Sequence, residues 1–367
     1  MKRTNARVSL KNIIDNYKYI TSLLELDCKF MAVVKADAYG HGLDKVANSL
    51  QSAGVKYFAV ASIDEALELR KVGISREILI LGHVYKSDAY IVSDYNFIAT
   101  VTSAAQGAIL AKASYNEVRA HIKIDTGMSR NGIYCHNEED LDAAYEECVK
   151  LLNTPNLFIE GIYTHFANAE DDEEFTRKQF YMYKKLTDML IDNGYRIGIK
   201  HCCNTAGTLY YPEYHLDMVR CGLGLYGYAP DEQRPDENLK KCMILESRVT
   251  QIHKVKKGDT ISYGRTFAAD KDMDVAIVSI GYGDGYSRLL SNKDSLYLNG
   301  KYAKVLGRVC MDACVIDVTD IPCKEGDLVT VFGTKRKGAD KVASLMGTIS
   351  YEVLCDVGKR VPREYDI

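Results

Sequence analysis

The chain has 367 residues, 47% of them hydrophobic and 26% charged, ordinary values for a folded globular protein. Single cores usually stop growing at about 250–300 residues, so this length points to two domains rather than one. With 47 Lys+Arg against 50 Asp+Glu, a formal charge of −3 and no basic block, nucleic acid is excluded as the main partner.

No stretch approaches the roughly 18 uninterrupted apolar residues of a membrane span. The opening MKRTNARVSLKNIIDNYKYI mixes charges with apolar residues at helical spacing instead of forming a secretory core. A cytoplasmic protein with no membrane segment is expected. The 11 cysteines are odd in number, contain no CxxC pair and often sit in apolar runs. Reduced core thiols, and no metal site, are the reading they favour.

From about residue 28 to 220, eight short β-rich runs alternate with helical segments: KFMAVVK, KYFAVAS, EILILGH, FIATVT, AHIKID, LFIEGIYTH, GIKHCCN and HLDMVR. Between them, LDKVANSLQSAG and SIDEALELRKVG carry apolar residues at helical spacing and close on Gly. EDDEEFTRKQFYMYKKLTDMLIDNG predicts an amphipathic helix with a charged face. Eight such units in about 200 residues predict a parallel (β/α)8 barrel, a TIM-like α/β fold. An open doubly wound sheet is the competitor, but the first strand runs into KADAYGHG, which lacks GxGxxG spacing.

After GLGLYGYAP the pattern changes to β-rich segments such as MILESRVTQIHKV, DVAIVSIGY, RVCMDACVIDV and DLVTVFG, with one short helical piece near ADKVASLMG. The expected division is a barrel over 1–235 and a mostly β domain over 236–367, joined by the polar linker APDEQRPDEN.

In a (β/α)8 barrel, chemistry sits at the C-terminal ends of the strands. That rule selects Lys35 and Tyr39 after the first run, Arg130 after the fifth, His165 after the sixth, Asn204 and Thr205 after the seventh, and Arg220 with Gly222 at the eighth. Each alone has a bland explanation, such as a lysine meeting solvent or a histidine satisfied in the core. Together they form a cationic, hydroxyl-rich rim suited to an anion. CGLGLYG offers unshielded backbone N–H groups and a helix starting near Thr205 offers its own, so either can hold a phosphate. A phosphate site facing a strand-end lysine is what a pyridoxal 5'-phosphate Schiff base requires.

The motifs AVVKADAYGHG, KIDTGMSRNG, YTHFANAE, VRCGLGLYG, ISYGRTF, GYGDGY, GRVCMD, SYEVLC and RVPREY stand in the order found in bacterial alanine racemases, and the chain resembles that family over nearly its whole length. The resemblance implies a pyridoxal phosphate-dependent isomerase that interconverts L- and D-alanine by two bases and supplies D-alanine for peptidoglycan. It implies Lys35 as the cofactor lysine and one base, and Tyr263 of a partner subunit as the other. His165 and Arg220 would surround that tyrosine, and Arg220 would face the cofactor's ring nitrogen. Tyr39, Asn204, Thr205, Gly222, Leu223 and Tyr351 would bind the phosphate end. Arg130 and the partner's Met311 N–H would hold the substrate carboxylate, while Tyr282 and Asp312 would line its approach. Lys123 matches a lysine that some members carry as a carbamate; a plain ion pair with Asp125 is the alternative. Residues shared across subunits imply a homodimer.

Alternatives remain open: a serine or serine/alanine racemase of the glycopeptide-resistance type, with the same chemistry; a decarboxylase with other motifs; and, in a different class, a barrel-only cofactor-homeostasis protein with little catalysis, which lacks the β domain. The bulky phenol of Tyr351 favours alanine over serine. His41 has no assigned role.

Overall fold

The computed structural model describes residues 2–231 and 233–366, and the chain divides into two compact units. The larger comprises Ile14–Ala38 and Leu43–Leu239; the smaller gathers the segment ending at Ile13, residues Tyr39–Gly42 and the chain from Lys240 onward. Glu232, inside the expected linker, lies outside the described residues.

The first element is not helical, as the opening sequence suggests, but a strand, β1 (Thr4–Ser9), with Thr4, Asn5, Ala6 and Val8 buried and Arg7 exposed. The helix begins only at Leu10 and runs to Ser22. Pairing with distant strands of the smaller unit overrides the local pattern here.

In the larger unit all eight predicted runs become parallel strands: β2 (Lys29–Val33), β3 (Tyr57–Val60), β4 (Glu77–His83), β5 (Ile98–Val101) and β6 (Val118–Asp125), a short β7 (Ile133–Tyr134) beside β6, then β8 (Leu157–Tyr163), β9 (Ile199–His201) and β10 (Met218–Cys221). Their order is β10-β2-β3-β4-β5-β6-β8-β9. Backbone bonds from Asp217 N to Lys200 O (3.1 Å) and Arg220 N to Cys203 O (3.0 Å) link β9 to β10 and close the ring. Helices cover it for the reasons their sequences give. Ser62 caps Ile63–Lys71 by accepting from Glu65 N, and Asp172 caps Glu173–Asp192 by accepting from Phe175 N. The latter helix buries Gln179, Met182, Tyr183, Leu186 and Leu190, one face of a 3.6-residue period.

The smaller unit contains β11 (Met243–Val255), β12 (Thr260–Ile261), β13 (Phe267–Ala268), β14 (Met273–Val278), β15 (Ser295–Leu298), β16 (Lys301–Leu306), β17 (Cys314–Asp317), β18 (Leu328–Phe332) and β19 (Arg363–Asp366). Eight strands form one sheet in the order β14-β17-β16-β15-β18-β11-β1-β19. β11 is long enough to serve twice: its first half pairs with β1 and β18, and after an irregularity between Val249 and Gln251 its second half pairs with β14. Two helices, Ala339–Met346 and Ser350–Cys355, complete the unit.

Candidate active site

Strand β2 ends in an unusual turn. Ala36, Asp37, Ala38 and Tyr39 have φ of 54, 54, 54 and 52°, one turn of left-handed helix built from non-glycine residues. Each such residue costs on the order of 1–2 kcal/mol, so the turn must be held from outside. Glu65 accepts from Ala36 N (2.6 Å) and, through its other oxygen, from Ala61 N (2.7 Å), while Asp37 accepts from Leu43 N (2.7 Å). Lys35, half-buried, stands at the head of this turn, two residues past the strand. Gly40 (φ 75°) and Gly42 (φ 93°) follow it because a Cβ at either would sit 2.2 Å from Leu354 O or 1.9 Å from the Tyr365 hydroxyl.

At the other end of the strand order, Arg220 is buried at the top of β10. A guanidinium only donates. Its Nη1 donates to His201 Nδ1 (3.0 Å), and its Nη2 lies within bonding distance of Thr164 O (2.9 Å), Cys202 O (3.1 Å) and His165 Nδ1 (3.2 Å). The Tyr163 ring lies against the same guanidinium, 5.1 Å from its carbon. Both histidines face Arg220 through a ring nitrogen that accepts, which requires neutral imidazoles with the proton on Nε2. Their titration agrees: burial, then the Arg220 charge, hold His165 and His201 well below the usual 6.5.

Lys123 is buried inside the ring on β6. Its ammonium donates to Ile124 O (2.9 Å) and lies 5.2 Å from the Tyr163 ring centre. Burial and the Arg220 charge lower its pKa from 10.5 to about 7. Asp125, the partner considered from sequence, is engaged elsewhere: its Oδ1 accepts from the amides of Gly127, Met128 and Ser129 (3.1, 2.9 and 3.1 Å) and lies 3.3 Å from His136 Nε2. That carboxylate shapes the loop after β6 on which Arg130 sits, exposed and beyond the strand's end at Asp125 rather than on the strand itself. The Arg130 charge still reaches inward, lowering the pKa values of Lys123 and His165.

After β9, Asn204 caps the helix Thr205–Tyr210 by accepting from Gly207 N (2.9 Å). The buried Thr205 hydroxyl accepts from Gly222 N (3.3 Å) and Gly224 N (3.4 Å), so it ties this helix start to the turn after β10, where Leu223 is buried. A Cβ on Gly224 would press on the Thr205 methyl at 3.0 Å.

The smaller unit holds the remaining predicted residues. Tyr39 is buried and its ring lies 5.8 Å from that of Tyr351. His41, fully buried, has its Nδ1 2.8 Å from Tyr39 O, and its carbonyl accepts from the Tyr365 hydroxyl (3.2 Å), so it shapes the turn. Tyr263, by contrast, is 71% exposed. It rides a tight turn with positive φ at Ser262, Gly264 and Arg265, fixed by Ser262 Oγ donating to Arg308 O (2.6 Å) and by Ile261, two residues earlier, packed in a core with Val255, Ala269, Met273, Val275 and Leu306. Tyr282 and Met311 are 44% and 53% exposed on neighbouring loops, joined by Tyr282 N to Cys310 O (3.1 Å) and Gly283 N to Met311 O (2.9 Å). Beneath them the buried Asp284 pairs with Arg3 and with Arg360 Nε (2.8 Å), and Arg360 Nη2 reaches Asp312 (2.8 Å) and Met311 O (3.2 Å).

Sequence reasoning passed over His201, Glu65, Asp284 and Arg360. The first had a signal: GIKHCCN puts a histidine inside an otherwise apolar barrel strand. The others act through pairings that no local pattern encodes. Among the described residues no cluster of metal-binding side chains occurs, and no helix is long and apolar enough to cross a membrane.

Comparison with known proteins matches residues 8–230 to a family model described as alanine racemase, N-terminal domain, and residues 242–365 to alanine racemase, C-terminal domain. A relative from Desulfovibrio desulfuricans, named alanine racemase, is 39% identical over 366 residues, 98% of this chain and 97% of that protein. A solved alanine racemase from Clostridium difficile 630 superposes with a TM-score of 0.92 at 37% identity, covering 100% of this chain and 96% of the other. The same organism's enzyme in complex with cycloserine gives a TM-score of 0.91 at 35% identity, with coverage of 100% and 96%.

Proposed function

The chain belongs to the alanine racemase family, and from that premise we propose that it interconverts L-alanine and D-alanine with pyridoxal 5'-phosphate, in the cytoplasm, as a homodimer whose subunits complete each other's sites. D-alanine for peptidoglycan is the purpose this reading assigns. The observation that carries it is the setting of Arg220, a permanently charged donor held by carbonyls and neutral histidines beside a buried lysine.

The donor set fits the cofactor. Lys35 would hold it through its amine. Thr205, with the amides around Gly222 and Leu223, the helix start at Asn204, and the hydroxyls of Tyr39 and Tyr351, would hold its phosphate. Arg220 has donors left over after meeting its protein acceptors, and these would meet the ring nitrogen. When bound, pyridoxal phosphate supplies an electron sink that acidifies the substrate's Cα–H. Because a guanidinium scarcely gives up its proton, Arg220 would leave that sink weak and so favour return of the proton over transamination.

The protein's own share is proton handling on two faces. Lys35 Nζ would remove or deliver the Cα proton on one face, and the partner's Tyr263 Oη on the other. His165, accepting from Arg220 at Nδ1, carries its proton on Nε2, where it would donate to the phenol oxygen of the partner's Tyr263. Arg130 and the partner's Met311 N–H would hold the substrate carboxylate. Tyr282 and Asp312 would line the way in. A Lys123 with a pKa of about 7 is partly neutral at physiological pH, the form that takes up carbon dioxide; the resulting carbamate would give Arg130 an anionic partner.

Incubation of L-alanine with the enzyme in deuterated water tests the reading. D-alanine carrying deuterium at Cα is the expected product; no exchange and no D-alanine contradicts it. Parallel incubation with L-serine should give slower turnover, and faster serine racemisation would replace the proposed substrate.

A further inference from the structure

Arg220 is the upper end of a longer buried chain that runs down the inside of the barrel. His201 Nε2 lies 2.8 Å from His121 Nδ1, and His121 Nε2 faces Glu160 Oε1 at 3.6 Å. Glu160 Oε2 accepts from Arg119 Nε (2.8 Å) and lies 2.7 Å from its Nη2; Arg119 Nη1 lies 2.8 Å from Glu77 Oε2. His121 and His201 are fully buried, while Arg119 and Glu160 stand half-buried toward the opposite end of the barrel strands.

The backbone is shaped for this column. Between β6 and β8, Ala120 pairs with Ile159 but His121 pairs with Gly161, so Glu160 is the extra residue of a bulge. Gly161 leaves room for the imidazole: a Cβ there would come within 2.7 Å of His121 Nε2.

The order of donors follows from the two ends. Arg220 can only donate, so His201 Nδ1 accepts and its proton is on Nε2. That proton points to His121 Nδ1, which therefore accepts, and the remaining His121 proton on Nε2 is directed toward Glu160 Oε1 across 3.6 Å, beyond hydrogen-bond length. We propose that His121 and Glu160, anchored by Arg119, are positioning residues for Arg220: they lock His201 in the tautomer that receives the guanidinium. The charges facing the two imidazoles are Arg220 and Lys123 from above and Glu160 and Arg119 from below. Burial, followed by the Arg220 charge, disfavours a second proton on His201; burial outweighs Glu160 at His121. The effect on turnover rests on the proposed function, whereas the hydrogen-bond order does not.

The test is long-range 1H–15N spectroscopy of the histidine-labelled holoenzyme, combined with kinetics of His121→Leu and His121→Asn. In the wild type both rings should be Nε2–H tautomers that do not titrate between about pH 5.5 and 8.5. His121→Leu removes the acceptor: His201 should lose its single tautomer and kcat should fall on the order of tenfold with KM little changed, as loss of an outer partner usually does. In His121→Asn the Oδ1 can accept in place of Nδ1, so tautomer and turnover should be largely restored. A wild-type His201 carrying its proton on Nδ1 overturns the proposal, and so does a Leu variant with unchanged tautomer and turnover. Should the Leu variant fail to fold, the wild-type spectrum and the Asn variant decide. The predicted tautomers in a protein that does not racemise alanine would refute the functional reading and leave the column standing.

Discussion

The two units present their candidate residues in opposite ways. The barrel's groups are locked before any ligand arrives: Arg220 meets four acceptors, the histidines around it are neutral, and Lys35 heads a turn braced by Glu65. The β unit instead presents Tyr263, Tyr282 and Met311 at 71%, 44% and 53% exposure, each on a loop whose base is fixed, by Ser262 or by the Asp284–Arg360 pair. Removing a barrel group should therefore disturb stability and chemistry together. Removing a β-unit tip should disturb chemistry alone.

Lys35→Ala gives the largest expected effect, loss of racemisation by at least about a thousandfold, because no other amine stands at that turn to hold the cofactor and move the proton. Chiral chromatography of the alanine product measures it. Arg220→Lys comes next. A lysine cannot satisfy the acceptors that the planar fork reaches, so we expect a loss of roughly 2–4 kcal/mol in urea unfolding along with about a hundredfold loss of turnover. A variant as stable as the wild type would break the contrast on the barrel side. Tyr263→Phe tests the other side: stability should stay within about 0.5 kcal/mol, as for exposed positions generally, while exchange of the Cα proton with deuterated solvent should be lost from one enantiomer and largely kept from the other, since each base first serves one enantiomer. Equal loss of exchange from both enantiomers contradicts the two-base scheme.

The last effect is a slope with pH, not a change at one pH. Lys123 titrates near 7 in the folded chain against an ordinary 10.5. Between those values the unfolded chain holds a proton that the folded chain lacks, so stability rises with pH across that window and is flat in this respect below it. In buffer free of carbon dioxide, Lys123→Met should remove that rise. An unchanged slope in the variant would show that Lys123 is not its source.

The barrel was legible because its strands alternate with helices in order, each run carrying its own apolar and turn signals. Strand-end reasoning also selected His165 and Arg220, which the structure brings into contact, without any pairing information. β1 was not legible, since its partners lie in β11 and β19, more than two hundred residues away, and only that pairing makes TNARVS a strand. The His201–His121–Glu160 column escaped for a related reason. It depends on a one-residue bulge in β8 that turns Glu160 toward β6, and a bulge leaves no mark in the sequence beyond Gly161. In the β unit, ISYGRTF and GYGDGY were recognisable as motifs, but the ion pairs that brace the GYGDGY loop join Arg3, Asp284 and Arg360 from three separate stretches.

The central claim is that a site made of one subunit's Lys35 and the other's Tyr263 does the chemistry, and subunit mixing tests it most directly. Lys35→Ala and Tyr263→Phe chains, each nearly inactive alone, are unfolded together and refolded as mixed dimers. Random pairing makes half the dimers mixed, each with one intact site and one doubly defective, so about a quarter of wild-type activity should return. Activity no greater than the sum of the two parents, in a preparation shown to contain mixed dimers, would contradict a shared site.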